Sequence, residues 1–191
     1  MIEFSHPLIL ASGSPRRKML LESLGWEFSI LTREASEYFP QDLHPRAIAV
    51  LISENKAKVY DDLSNKNIVL TADTLVVQEG EVLGKPTSPT HAIEMLQKLS
   101  SSTHLVITGV TLFNKGKFRS FSVETKVNFR SLTAKEISYY VDNFSPLDKA
   151  GAYGIQDWIG KIGITSIEGD YYNVMGLPIS RLYEELIPFM K

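Results

Sequence analysis

Residues 105–129, LVITGVTLFNKGKFRSFSVETKVNF, commit the chain to a sheet. Phe121, Val123, Val127 and Phe129 alternate with polar neighbours, the period of two that places one face of a strand in a core. Asn114–Gly116 supplies a turn between two long strands, so the pair is expected to lie side by side. An all-helical fold is excluded by this stretch alone.

The remaining sequence surrounds those strands with alternating elements. Residues 7–11 and 27–32 read as strands. Between them Ser14 suits an N-cap, Pro15 the first helical position and Gly25 the exit. A second helix is expected from Pro45 to Tyr60, with Ile48, Leu51, Ile52 and Val59 on its apolar face and Lys56 at the edge. NIVLTADTLVVQEGEVLGKP reads as a buried strand at Ile68–Leu70, a break at Thr71–Thr74 and a hairpin turning near Glu79–Gly80. Residues 89–100 read as a helix, and Thr133 with Glu136 forms a capping box ahead of another. A last helix is expected from Pro178 to Met190. The order predicts an α/β (mixed α+β) fold with a mixed sheet and flanking helices. At 191 residues and 43% hydrophobic composition, one domain over residues 1–191 can bury a real core and has room for two lobes.

Composition excludes several classes of function. The chain has no cysteine, which removes disulfides, thiolate metal sites and a Cys nucleophile. Net charge is −2, so nothing favours bulk attraction to nucleic acid or to an anionic membrane. No apolar stretch approaches membrane-spanning length, and a soluble protein of the cytoplasm is expected. The four histidines, His6, His44, His91 and His104, show no ligand spacing.

Chemistry is suggested at fewer places. In SGSPRRK the first turn of a helix carries Arg16, Arg17 and Lys18, where the helix dipole disfavours cations. Ser12, Ser14, Arg16 and Arg17 with the loop backbone would make a phosphate site; equally, the cations could face solvent. Asp73 in TADT could hold a divalent cation or take a proton from water, or be a turn residue bonding its own backbone. GEVLGKP is not a Walker loop, because three residues rather than four separate its glycines and Pro86 follows Lys85. Glu34 and Glu37 are candidate oxygen ligands for Mg²⁺ or Mn²⁺, with a charged loop the preferred reading of Glu37. In DKAGAYGIQDWIG, Gln156 offers a donor and an acceptor that could read a base edge, or could brace a tight turn.

In order, LASGSPRRKMLL, ENKAK, TADTLVV, GKP, DKAGAYGIQ and GDYYNVMGLP resemble the Maf family of nucleoside triphosphate pyrophosphatases over nearly the whole chain. The resemblance implies a fold similar to the inosine triphosphate pyrophosphatases, an elongated mixed sheet with a central cleft. It implies hydrolysis of a nucleoside triphosphate to a monophosphate and pyrophosphate with a divalent metal, Mg²⁺ or Mn²⁺. By motif, Asp73, Lys85 and Lys56 would be catalytic. Ser12, Ser14, Arg16, Arg17, Thr74 and Gln156 would bind substrate, and Glu34 with Asp73 would hold the metal. Arg16, Thr74 and Gln156 are the positions tied to base choice in the subgroup acting on dTTP and UTP. The sequence departs from the family where DWIGKIG follows Gln156, with Asp157 and Trp158 in place of a common Gly and a shorter run. The resemblance also implies a homodimer, and the short basic cluster in a mildly acidic chain argues against a nucleic-acid partner. Two other readings stand beside it: a non-catalytic nucleotide-binding regulator of cell division, and a pyrophosphatase for modified purine triphosphates.

Overall fold

Both tight turns in the sheet are built from a residue pair in the left-handed region. Glu79 and Gly80 have φ of 50° and 84°, and Lys115 and Gly116 have φ of 50° and 70°. Two successive positive φ values give a turn whose twist matches that of paired strands, and glycine takes the second place without a steric cost. The Lys115 N–H further donates to the Ser64 carbonyl at 2.7 Å.

The computed structural model describes residues 2–40 and 42–191. Its elements run β1 (Leu8–Leu10), α1 (Pro15–Glu22), β2 (Phe28–Ile30), α2 (Pro45–Lys58), α3 (Asp61–Ser64), β3 (Ile68–Gln78), β4 (Glu81–Leu83) and α4 (Pro89–Leu99). Then follow β5 (Thr103–Asn114), β6 (Lys117–Phe129), α5 (Ala134–Phe144), α6 (Trp158–Gly163), β7 (Ile164–Glu168), α7 (Tyr171–Met175) and α8 (Ile179–Leu186). The sheet order is β2-β1-β3-β5-β6-β7, with β4 paired to β3. Strand β1 is parallel to β2 and to β3, whereas β3–β4 and β6–β7 are antiparallel. This is the mixed α/β sheet the sequence implied.

The chain divides into two compact units. The first comprises Met1–Asp73, Thr108–Val123 and Gly176–Lys191; the second comprises Thr74–Ile107 and Glu124–Met175. In the first unit, α2 lies against β5 more closely than its apolar wheel implied. Its buried residues are Ile48, Ala49, Ile52, Ser53 and Ala57, while Leu51 and Val59 are half-buried. The cause is Gly109 on β5: a Cβ there would stand 2.2 Å from the carbonyl carbon and oxygen of Ala49. The helix backbone at Ala49 therefore lies directly against the one position of β5 that has no side chain. The buried hydroxyls are satisfied, Ser53 Oγ bonding Thr111 Oγ1 at 2.7 Å and Thr71 Oγ1 donating to the Ser53 carbonyl at 2.7 Å.

That last bond explains a departure from expectation. No break occurs at Thr71–Thr74, and β3 continues unbroken from Ile68 to Gln78. A buried strand can continue through polar residues whose side chains are hydrogen-bonded, and Thr71 and Asp73 both find partners on α2. At the other end of the sequence, α8 stops at Leu186 and a single 3₁₀ turn over Ile187–Phe189 replaces the expected extension to Met190. Pro188 has no N–H to continue the helix. Strand β7 and helix α7 were not read from the sequence.

In the second unit, α4 packs on α5. The capping box of α5 is formed as expected, Thr133 Oγ1 accepting from the Glu136 N–H and the Glu136 carboxylate accepting from the Thr133 N–H. His104, Phe129 and Tyr153 form a ring cluster with centroids 5.1 to 5.6 Å apart. His104 is 1% exposed, and burial lowers its pKa to about 4. Among the described residues, no helix is long and apolar enough to cross a membrane.

Candidate active site

Strands β1 and β2 of the first unit end in one direction beside the longer β3, and the candidate loops leave from those two ends. Strand β1 stops at Leu10, and the Ala11 N–H donates to Leu70 of β3 at 2.8 Å. From there the chain turns away into Ser12–Ser14. Strand β2 stops at Ile30 and leads into the loop carrying Glu34 and Glu37. Strand β3 continues past both and reaches Asp73. The carboxyl ends of parallel strands are where α/β sheets gather ligands, because the loops that leave there carry side chains free of the core.

The first loop is organised by its own hydroxyls. Ser14 is the N-cap of α1 and Pro15 its first residue, as the sequence indicated. Ser12 Oγ accepts from the Ser14 N–H at 3.3 Å and from Arg17 Nη1 at 3.1 Å. Arg17 Nε donates to the Gly176 carbonyl at 2.8 Å. That bond joins the SGSPRR motif to the MGLP motif across 159 residues of sequence. Burial lowers the Arg17 pKa to about 10; the carboxylate of Asp73 opposes this, the charge of Arg16 adds to it, and Glu37 opposes it more weakly. Arg17 is therefore still a cation at neutral pH, half-buried and held by two fixed acceptors. Arg16 is half-buried beside it.

Lys56 sits in the last turn of α2, at the edge of its buried face as the sequence placed it. Its Nζ lies 2.6 Å from Asp73 Oδ1 and 2.6 Å from Glu37 Oε1. Asp73 is 16% exposed, Lys56 21% and Glu37 56%, so the cluster opens to solvent on the Glu37 side. Residues two apart on a strand share a face, which is why Thr71 and Asp73 both reach α2. Glu34 is exposed and three residues away on the same loop, and it forms no ion pair among the described residues. The acid brought to Asp73 is thus Glu37, whose preferred sequence reading was a charged loop. The signal for it was weak: a loop carboxylate two residues past a Ala carries no periodicity. Among the described residues no group of three or more His, Asp or Glu side chains forms a metal cage. Two carboxylates around one cation nevertheless match the donor set of Mg²⁺, which commonly takes one or two protein carboxylates and completes its shell with water and substrate phosphate.

The other candidates belong to the second unit. Thr74 follows Asp73 in β3, half-buried, on the alternate side of the strand. Lys85 is exposed in the turn after β4. The Gly84 carbonyl there accepts from the Gly151 N–H at 3.0 Å, which brings the GKP and DKAGAYGIQ motifs together. Gly151 is required: its φ is +66°, and a Cβ would meet Val76 Cγ2 at 2.9 Å.

Gln156 is half-buried. Its Nε2 donates to Asp157 Oδ1 at 3.0 Å, and its Oε1 is buried with no hydrogen-bond partner. Asp157 Oδ2 accepts from the Tyr140 hydroxyl at 2.8 Å, and Lys149 Nζ stands 3.7 Å from the same oxygen. Tyr140 also accepts from the Gly154 N–H at 3.3 Å. Its pKa is raised well above the ordinary phenol value, first by burial and then by the Asp157 carboxylate, so it stays a donor. The hydroxyl role of Tyr140 has no local signal in the sequence, because the acceptor lies 17 residues away.

The Maf-like protein family model matches residues 7–189. The dTTP/UTP pyrophosphatase of Cytophaga hutchinsonii is 49% identical over 94% of this chain and 82% of its own length. Those of Phocaeicola vulgatus and Bacteroides fragilis are 48% and 45% identical, each over 95% of both chains. Among solved structures, the Staphylococcus aureus Ham1 protein aligns with 64% of this chain and 71% of its own at 14% identity and a TM-score of 0.45. With the motif loops assembled in this order and a family match from one end of the described chain almost to the other, the chain belongs to the Maf family.

Proposed function

We propose that this Maf family member is a nucleoside triphosphate pyrophosphatase acting on dTTP and UTP. One water is consumed, the anhydride between the α and β phosphates is broken, and a nucleoside monophosphate and pyrophosphate leave. The observation that carries the reading is the charged cluster of α2, β3 and the loop after β2: Lys56 Nζ lies 2.6 Å from both Asp73 and Glu37. The names and identities of the relatives support the same activity.

Phosphoryl transfer needs little covalent chemistry from a protein, so positioning and charge stabilisation account for most of its rate. Arg16, Arg17, Lys56 and Lys85 are assigned to the phosphate oxygens, together with Ser12, Ser14 and the N–H groups that open α1. Arg17 is suited to this because Ser12 and Gly176 fix its Nη1 and Nε, so its fork is oriented before substrate arrives. Lys56 bridging two carboxylates can exchange one of them for a phosphate oxygen without becoming an unpaired buried charge. Asp73 and Glu37 would hold the divalent cation, Mg²⁺ or Mn²⁺, which when bound neutralises charge on the phosphate oxygens. Asp73 would orient the attacking water and take its proton, a role that needs a carboxylate within hydrogen-bond reach of the water. Thr74 and Gln156 are assigned to the base, on the strength of the motif and of the buried acceptor at Gln156 Oε1.

The test is product analysis with the purified protein, Mg²⁺ or Mn²⁺, and a panel of dTTP, UTP, CTP, dCTP, ATP and GTP. The expected outcome is equimolar monophosphate and pyrophosphate from dTTP and UTP. Orthophosphate with a diphosphate product, or binding without turnover across the panel, would overturn the reading in favour of a different hydrolase or of a regulator.

A further inference from the structure

Gln156 is followed by an acidic side chain, and the structure gives that side chain unusual work. Asp157 occupies the N-cap position of α6, yet its carboxylate makes no cap hydrogen bond. A carboxylate at that position ordinarily accepts from the first free N–H groups of the helix. Here it turns back instead: one oxygen takes the Gln156 amide N–H, and the other takes the Tyr140 hydroxyl. The neighbouring chain leaves room for this, since a Cβ on Gly154 would stand 2.6 Å from Asp157 Oδ2 and 2.9 Å from Gln156 Nε2.

The two ends of a glutamine amide are nearly the same size, so an unconstrained Gln can present its oxygen or its NH₂ to a ligand. Beside a carboxylate it cannot. An ionised carboxylate only accepts, so the NH₂ must face Asp157, and the flipped amide would set two acceptors 3.0 Å apart. The Gln156 oxygen is thereby forced to the opposite side, where it is buried without a partner. A buried acceptor left unmatched is costly, and a ligand donor placed there recovers that cost.

We propose that Asp157 is a positioning residue that locks the Gln156 amide with its carbonyl toward the base, so that the pocket selects a base with a ring N–H over one with a bare ring nitrogen. The proposal rests on the pyrophosphatase reading and deepens it. Uracil and thymine carry N3–H, a donor for Gln156 Oε1. Cytosine carries an unprotonated N3, which would face that oxygen as a second acceptor. Tyr140 and Lys149 secure the far oxygen of Asp157, and the depth of Tyr140 in the fold keeps that hydroxyl a donor. The specificity would then reside in a residue that never touches the nucleotide.

The experiment compares the intact protein with Asp157→Ser, Asp157→Asn and Asp157→Glu, measuring kcat and KM for UTP and CTP. The expected wild-type preference for UTP is about 100-fold in kcat/KM, since a site built around one hydrogen-bond polarity strongly rejects the opposite one. In Asp157→Ser and Asp157→Asn that ratio falls at least about tenfold, chiefly through improved KM for CTP and weakened KM for UTP, because the amide can now present either end. Asp157→Glu, which keeps the carboxylate, retains more of the ratio than Asp157→Asn. A thermal melt certifies each variant as folded, and the Gln156 side-chain ¹⁵N–¹H signals give an independent readout: one hydrogen-bonded amide proton in the wild type, lost in Asp157→Ser. An unchanged UTP:CTP ratio in folded Asp157→Ser overturns the proposal, as does an unchanged Gln156 amide signal. If the wild type cleaves neither nucleotide, the pyrophosphatase reading fails on its own, and UTP and CTP dissociation constants on the same variants decide the role of Asp157.

Discussion

Asp73 and Asp157 are both half-buried aspartates, 16% and 18% exposed, and the chain uses them in opposite ways. Asp73 meets an ammonium at 2.6 Å, and a second carboxylate shares that ammonium. Asp157 meets a phenol and an amide at 2.8 and 3.0 Å, with an ammonium at the longer distance of 3.7 Å. A carboxylate paired to a mobile lysine can change partners when a polyphosphate and a cation arrive. One saturated by a buried hydroxyl and an amide is a fixed frame. The first arrangement suits chemistry, where charge moves, and the second suits discrimination, where a dipole must not move.

Substitutions can break or sharpen that contrast. The largest effect is expected from Asp73→Asn, which keeps the shape and removes the base: kcat should fall at least ~100-fold on every accepted triphosphate, with the UTP:CTP ratio unchanged. Steady-state kinetics on both nucleotides check this, and near-normal turnover would remove Asp73 from proton transfer. Arg17→Ala comes next. It deletes a charged, pre-oriented fork, and kcat/KM should drop about 10- to 100-fold regardless of base. A base-dependent loss would place Arg17 in discrimination and erase the division between the two regions.

A third prediction concerns stability. His104 is buried neutral in the second unit, with its pKa lowered to about 4 from an ordinary value of 6.5. Between those values the unfolded chain binds the proton and the folded chain does not. Stability should therefore be full above pH 6.5 and decline as pH falls toward 4, by at most about 1.4 kcal/mol per pH unit within that window. Thermal melts at pH 7 and pH 5 measure it, and in His104→Phe that part of the pH dependence should vanish. A slope that persists unchanged in His104→Phe would assign it to other groups. The smallest effect is expected from Tyr140→Phe, which removes one of the hydrogen bonds on Asp157 and leaves the Gln156 amide in place. The UTP:CTP ratio should fall about threefold while kcat on UTP holds, because the Asp157 contact that fixes the Gln156 amide is still made. A loss as large as that of Asp157→Ser would make the phenol, rather than the carboxylate, the element that orients Gln156.

Local signals were legible where a few neighbouring residues decide the outcome. Ser14 before Pro15, Thr133 with Glu136, and the glycines at 80 and 116 specify caps and turns through contacts within about four residues, so their readings hold in the structure. The motif loops were legible as chemistry because their residue types are costly to place without a reason: cations at a positive helix end, a carboxylate where an apolar strand was expected to end. What was not legible depended on partners far along the chain. Strand β3 runs through Thr71 and Asp73 only because Ser53 and Lys56 stand opposite them. Ala49 of α2 is buried against β5 because Gly109 lets the strand approach the helix backbone there.

The sequence by itself determined most of the element types, though not α3, α6, β7 or α7, together with the mixed sheet, the capped starts of α1 and α5, and the family. Each of those is written in short-range periodicity, capping or motif order. Tertiary structure alone decided that Glu37 rather than Glu34 joins Lys56 and Asp73, and that Asp157 faces Gln156 and Tyr140 instead of capping its own helix. The physical reason is that a loop carboxylate has many local alternatives of similar energy, and the choice falls to whichever donor the distant chain brings within about 3 Å.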